Sequence, residues 1–205
     1  LFAGENIIFN LDNEIIFNMI ISLYYPQTPY LFNIIEPGIL GKIYETFLTE
    51  CLIVKNNHVI LAAKKEYKYR SVVSTPVEIV KYMIKNTLES ICQGKTPEEI
   101  KKLQIVDISC GSGVFLEEAY QFLIDYCVEW YTQYKPEYLL ELDNGRKKLP
   151  LTDKKDILTK CIYGVDIDVH AVEVSKFSLL IKLIEDETTA SVKECVPILP
   201  DLSSN

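Results

Sequence analysis

One ten-residue segment, Asp107 to Leu116, constrains this chain more than any other. An apolar run from Leu103 to Ile108 leads into a turn with glycines at positions 111 and 113. Behind the turn comes an apolar pattern at helical spacing, through Phe115, Leu116, Ala119, Phe122, Leu123 and Tyr126. Strand, glycine turn and helix form the unit by which an α/β protein presents backbone N–H groups to a ligand at the carboxyl edge of its sheet. The acid at the strand end narrows the choice of ligand. Asp107 would repel a phosphate but suits a ligand that carries ammonium and sulfonium charge.

The flanking elements fit an α/β domain behind a mainly helical segment that runs from residue 1 to about 70. Leu11 to Leu23 is strongly apolar, and Pro26, Pro29 and Pro37 punctuate the stretch after it. Ile39, Leu40, Ile43, Tyr44, Phe47 and Leu48 recur at helical spacing behind Pro37 and Gly38. His58 to Ala62 reads as a short strand in a hairpin. Thr75, Pro76 and Glu78 form a capping signal, with Thr75 as N-cap and Pro76 at the first helical position, and Val80, Met83, Ile84, Leu88 and Ile91 supply the stripe behind it. Gln93 and Gly94 stop that helix, and Thr96, Pro97 and Glu99 open a short one. After the glycine turn and its helix, a polar stretch containing the turn Asp143-Asn144-Gly145 runs to Lys160. Cys161 to Val165 is a second short strand ending in Asp166-Ile167-Asp168, and Asp168 caps an apolar helix from Ala171 to Ile184.

Composition removes several classes of function. The chain of 205 residues is long enough for one substantial domain with an appendage. No apolar run reaches the roughly 18 residues that span a bilayer, and the apolar start at Leu1 lacks the basic flank of a signal peptide. The absence of an initial Met points to a piece cut from something longer. Cysteines 51, 92, 110, 127, 161 and 195 show neither metal-ligand nor disulfide spacing, and with two isolated histidines no zinc site is expected. Reduced thiols in a cytoplasmic setting are the expectation. The net charge of −8 lacks the basic field of a DNA-binding surface. Lys64, Lys65, Lys68, Arg70 and the cluster Arg146-Lys147-Lys148 read as solvated faces. A grip on DNA would have to lie mostly elsewhere.

Three segments share one chemistry: Thr75-Pro76, the turn from Asp107 to Gly113, and Asp166 at the end of the next strand. A carboxylate at the end of the second strand of a parallel sheet is placed to accept hydrogen bonds from ribose hydroxyls. Ile167 beside it could lie on an adenine face, and Gly111 and Gly113 allow close approach of a ligand. The combination points to S-adenosylmethionine (SAM). A dinucleotide is the competing ligand, and a nicotinamide oxidoreductase the competing enzyme. That fingerprint needs a third glycine and an acid about 20 residues later. Here Leu116 stands at the third glycine's position and Asp166 lies 53 residues after Gly113.

The chain resembles the adenine-N6 DNA methyltransferases, specifically those fused in type IIG restriction–modification proteins. Ile39 to Leu48 is similar to the family's upstream helical motif, and Ser74 to Val80 to its Tyr-Thr-Pro segment. Asp107 to Leu116 resembles its SAM loop, commonly Asp-Pro-Ala-Cys-Gly-Ser-Gly-x-Phe-Leu, and Tyr163 to Val174 resembles its ribose-binding strand and helix. The resemblance covers about residue 36 to the end. Departures are Ser71-Val72-Val73-Ser74 where the family has its aromatics, and Ile108 and Ser109 for the loop's proline and alanine.

The resemblance implies a partial Rossmann-like SAM-dependent methyltransferase sheet in residues 71–205, preceded by the helical segment 1–70. It implies that Thr75 and Pro76 touch the methionine part of SAM, and that Asp107, Cys110, Gly111 and Gly113 line the methionine and sulfonium region. Phe115 would pack beside the loop, Asp166 would bind the ribose diol and Ile167 the adenine, while Asp168 caps its helix. No metal is implied. The family holds its flipped adenine with an (Asn/Asp)-Pro-Pro-(Tyr/Phe) tetrapeptide. These 205 residues contain none, so no catalytic residue is assigned. The expectation is the SAM-holding part of a DNA methyltransferase, inactive by itself, with DNA met through the remainder and with open sheet edges that favour self-association. A non-catalytic SAM-binding or scaffold module is the alternative.

Overall fold

In the computed structural model the described residues are 12–24, 26–28, 39, 41, 43–44, 50–55, 58–63, 75–188, 191, 197, 199–203 and 205. Leu11, Pro29, Pro37, Leu40, Phe47, Leu48, Lys64, Lys65, Lys68, Arg70, the segment Ser71 to Ser74 and Cys195 lie outside them. Helix α1 (Asn13–Ser22) starts where the Asp12 carboxylate accepts the Glu14 N–H, and it leaves Ile15, Phe17 and Met19 exposed. Ile39, Gly41, Ile43 and Tyr44 are helical, with Gly41 and Tyr44 buried and Ile39 and Ile43 exposed. Strands β1 (Glu50–Lys55) and β2 (His58–Ala63) pair as the expected hairpin, in register from Glu50–Ala63 to Lys55–His58.

The rest is a mixed helix and strand layer structure around one core. Its centre is α4 (Val114–Tyr134), whose buried residues Leu116, Ala119, Tyr120, Leu123, Cys127 and Tyr131 recur at three- and four-residue intervals. Helix α2 (Val77–Cys92) packs on it with Val80, Leu88 and Cys92. The short α3 (Pro97–Ile100) seals one end with the fully buried Ile100. Strands β3 (Ile105–Asp107) and β6 (Ile162–Gly164) run parallel in register, Asp107 opposite Gly164. Helix α6 (Val169–Ile184) returns from β6 to cover the core with Leu179 and Leu183. The side-chain amide of Asn205 donates to the Thr159 and Ile162 carbonyls, and its own carbonyl accepts the Gly164 N–H. Thus residue 205 lies along β6. Among the described residues no helix is long and apolar enough to cross a membrane.

Two expectations need correction. The capping box belongs to α3, where the Thr96 hydroxyl accepts the Glu99 N–H and the Glu99 carboxylate accepts the Thr96 N–H. Pro76, with ψ at 137°, is still extended, so α2 begins one residue later than expected and no side chain caps it. The polar stretch before Cys161 holds a hairpin of β4 (Leu140–Glu141) and β5 (Lys147–Lys148) about Gly145, and then α5 (Leu151–Cys161). Its buried face carries Asp153 and Lys154 beside Ile157 and Leu158, which hides the apolar period of the helix. Asp153 is held by the Lys101 ammonium at 2.6 Å and the Tyr138 hydroxyl at 2.7 Å. The thiols of Cys92, Cys110, Cys127 and Cys161 are free and buried. Burial pushes Cys127 up to about 12 and Cys161 to about 11, so both stay protonated and inert at neutral pH.

Candidate cofactor site

The site is built where β3 and β6 end side by side. Beyond the ladder the two chains stay joined, because the Val165 N–H donates to the Asp107 carbonyl and the Cys110 N–H to the Val165 carbonyl. That crossing fixes the turn after β3 against the turn after β6. Asp107 is half-buried, and its carboxylate accepts the Ser109 N–H at 3.0 Å, which bends the backbone into the glycine turn.

The two glycines have different reasons to be glycine. Gly113 has φ +93°, and a β-carbon there would lie 2.3 Å from the Ser175 hydroxyl oxygen and 3.2 Å from the Ser175 α-carbon. It is required by packing of the turn on α6. Gly111 has φ +53°, and among the described residues a β-carbon there would meet nothing within 4 Å. Its missing side chain opens a cradle on the outside of the turn, where a ligand can approach the backbone.

Asp166 closes the other side. One carboxylate oxygen accepts the Gly111 N–H at 2.8 Å and the other accepts the Asp168 N–H at 2.8 Å. Asp168 in turn accepts the His170 N–H at 2.9 Å and caps α6, as expected. Each oxygen of Asp166 keeps a lone pair for a further donor. Ile167, beside it, is fully exposed, with Val165 and Val169 exposed at either hand. An anion gripping ring hydroxyls and an apolar side chain under a flat ring can act together here.

The remaining predicted residues fall in different surroundings. Cys110 is buried with its sulfur turned toward β6, 3.1 Å from where a β-carbon on Gly164 would sit. Burial and the carboxylates of Asp166 and Asp107 push its thiol up. Phe115 is half-buried on the first turn of α4. Thr75 is half-buried and Pro76 exposed at the start of α2, and the Pro76 carbonyl accepts the N–H groups of Ile79 and Val80. No hydrogen bond among the described residues ties Thr75 or Pro76 to the glycine turn. Sequence reasoning missed Ser175, whose contact with Gly113 has no local signal.

Glu117, one turn into α4, is a buried acid outside the predicted set. Its carboxyl is buried beside the Ser178 hydroxyl on α6. Burial pushes its carboxyl up to about 7, against the opposing pull of Ser178 and the Lys182 ammonium. By linkage, a raised carboxyl contributes stability in full below about 4.5, and that contribution is lost as pH rises through about 7. Glu117→Gln should therefore stabilise the protein at pH 8, by at most about 3 kcal/mol, and leave it nearly unchanged at pH 4.5. Urea denaturation at the two pH values checks this, and equal effects at both would rule it out.

The N-6 DNA Methylase family model matches residues 36–195. The type II restriction enzyme and methyltransferase RM.Eco57I of Escherichia coli is 41% identical over 194 residues, covering 94% of this chain and 19% of that protein. A provisionally named type II restriction enzyme and methyltransferase of Methanocaldococcus jannaschii is 28% identical over 210 residues, covering 83% of this chain and 16% of its own length. The chain thus spans less than a fifth of the length of these curated relatives.

Proposed function

The chain belongs to the N-6 DNA methylase family, and from that premise we propose that it holds the cofactor for a site-specific DNA methyltransferase acting on adenine N6. The setting we propose is a type II restriction–modification enzyme, as the names of both relatives suggest. The observation that carries the reading is the pairing of Asp166 with the Gly111 N–H at 2.8 Å beside an open cradle. It supports the reading because a carboxylate suited to a ribose diol and a close-approach backbone then share one edge of a parallel strand pair. That pair is, in this reading, the centre of a Rossmann-like sheet in residues 71–205, with residues 1–70 as a mainly helical N-terminal segment.

The residues fit SAM in kind. Asp107 and the turn would take the charged methionine end, Thr75 and Pro76 its far side, Asp166 the ribose diol and Ile167 the adenine face. Phe115 would brace the turn from α4, while Cys110 would contribute backbone alone. When bound, SAM supplies an electrophilic methyl group. This chain's part is then to fix that group in place, which turns a bimolecular encounter into an oriented one. The flipped adenine is held by an Asn-Pro-Pro-Tyr type motif that the 205 residues do not contain. DNA would be met chiefly by other parts, in keeping with the net charge of −8. Exposed Val106 in β3, with Ile108 and Val165 exposed just past the two strand ends, would favour self-association of the isolated chain.

Titration calorimetry with S-adenosylhomocysteine tests the reading. Binding is expected, weakened roughly 10- to 100-fold in Asp166→Ala by loss of a charged hydrogen-bond acceptor. Gly111→Val should weaken it too, by filling the cradle. Ile167→Ala is the cleaner probe, because that side chain is fully exposed: affinity should fall about fivefold with unchanged stability. A folded sample that binds no S-adenosylhomocysteine would overturn the proposal.

A further inference from the structure

The upstream motif around Tyr44 reaches the site across 124 residues of sequence. The Tyr44 hydroxyl donates to Asp168 Oδ2 at 2.8 Å, while Asp168 Oδ1 caps α6 through the His170 N–H. The Asp168 N–H donates to one oxygen of Asp166, and the other oxygen of Asp166 accepts the Gly111 N–H. These bonds form an unbroken chain from Tyr44 to the glycine turn. Gly41, one helical turn before Tyr44, lies so close to the turn that a β-carbon on it would sit 2.9 Å from the Ser112 hydroxyl oxygen and 3.1 Å from its β-carbon. Tyr44 itself is 9% exposed and Ser112 is 4% exposed, so the contact is a seated one.

We propose that Tyr44 is a positioning residue of the cofactor site: its hydroxyl fixes Asp168, and through the Asp168 backbone it sets the aim of the Asp166 carboxylate. The Gly41–Ser112 approach seats the same segment on the glycine turn, so the residues around Tyr44 brace the site from beside the turn. A tyrosine is suited to this. Burial and the neighbouring Asp168 and Asp166 carboxylates raise its phenol, which stays protonated and keeps donating at any physiological pH. On the acceptor side, burial pushes the Asp168 carboxyl up, but the Tyr44 hydroxyl and the His170 N–H outweigh it and hold the carboxyl below the usual range. Among the described residues the Asp166 oxygens each accept one internal hydrogen bond, so a small rotation of that carboxylate would turn its remaining lone pairs away from a ribose diol.

The inference rests on the SAM reading for its ligand, and the test separates the two. Tyr44→Phe in the full chain keeps the ring and removes only the donor. Hydrogen–deuterium exchange without ligand should quicken severalfold at the Gly111 and Asp168 amides, while exchange in α2 stays unchanged. S-adenosylhomocysteine affinity should fall about tenfold. Asp168→Ser retains an N-cap but loses the oxygen that faces Tyr44. It should reproduce the effect and add nothing to Tyr44→Phe, since both remove one bond. Wild-type exchange in Tyr44→Phe, or additive effects of the two substitutions, would overturn the proposal. If the wild-type chain binds no S-adenosylhomocysteine, the cofactor reading falls, and the exchange and additivity results still decide the role of Tyr44.

Discussion

Gly113→Val is expected to cost roughly 3–5 kcal/mol of folding stability and to abolish S-adenosylhomocysteine binding. Two penalties add. An L-residue held in the left-handed region costs roughly 1–2 kcal/mol, and a β-branched one more. The rest comes from overlap with α6, because the new β-carbon would lie 2.3 Å from the Ser175 hydroxyl oxygen and 3.2 Å from backbone that cannot swing aside. Either α6 moves off the core or the turn deforms, and both displace Asp166. Urea denaturation reads the loss, with Gly111→Ala as the comparison: φ +53° and open space predict only about 1–2 kcal/mol there. Adding Ser175→Gly to Gly113→Ala should restore part of the loss by removing the nearest atoms. A Gly113→Val protein within about 1 kcal/mol of the wild type would contradict the packing role.

Glu187→Ala is expected to lose a comparable amount, roughly 3–5 kcal/mol. The Glu187 side chain is 1% exposed and accepts Lys148 at 2.7 Å and Lys154 at 2.9 Å, with the Ser191 hydroxyl as third donor. Burial pushes its carboxyl up, but these donors outweigh it and hold it below the usual range. Lys154 is similarly enclosed, and burial lowers its ammonium in spite of Glu187. Removing the carboxylate alone strands a buried cation on α5. Replacing the pair with apolar residues, Glu187→Leu with Lys154→Met, should recover most of the loss, because a stranded charge costs more than the pair contributes. Denaturant midpoints of the single and double variants distinguish the two. A double variant as unstable as Glu187→Ala would show that the network has another role.

What could be read from the residues alone tracks the range of the physics involved. The stripe of α4, the α6 cap at Asp168 and the hairpin strand at His58 depend on neighbours within a few positions, and they stand where periodicity and capping place them. Helix α5 escaped notice because Asp153 and Lys154 occupy its buried face. They are tolerable there because of partners distant in sequence, above all Lys101 and Glu187, 52 and 33 positions away. The cap at Thr75 was misplaced for a local reason, the extended ψ of Pro76, which moves the start of α2 by one residue. In the site, Asp166 and the glycine turn were legible as a pair. Their direct bond through the Gly111 N–H, and the line to Tyr44, were not.

The sequence by itself determined the local pieces: an acid at each of two strand ends, a turn built on two glycines, and the family those residues belong to. Tertiary structure decided how the parts divide the work. It assigned Gly113 to packing and Gly111 to open space, turned the Cys110 side chain inward, and joined Tyr44 to Asp168. The physical reason is distance along the chain. Turn geometry and helix caps are set by adjacent residues, whereas a close approach to Ser175 or a hydrogen bond over 124 positions exists only once the helices have packed.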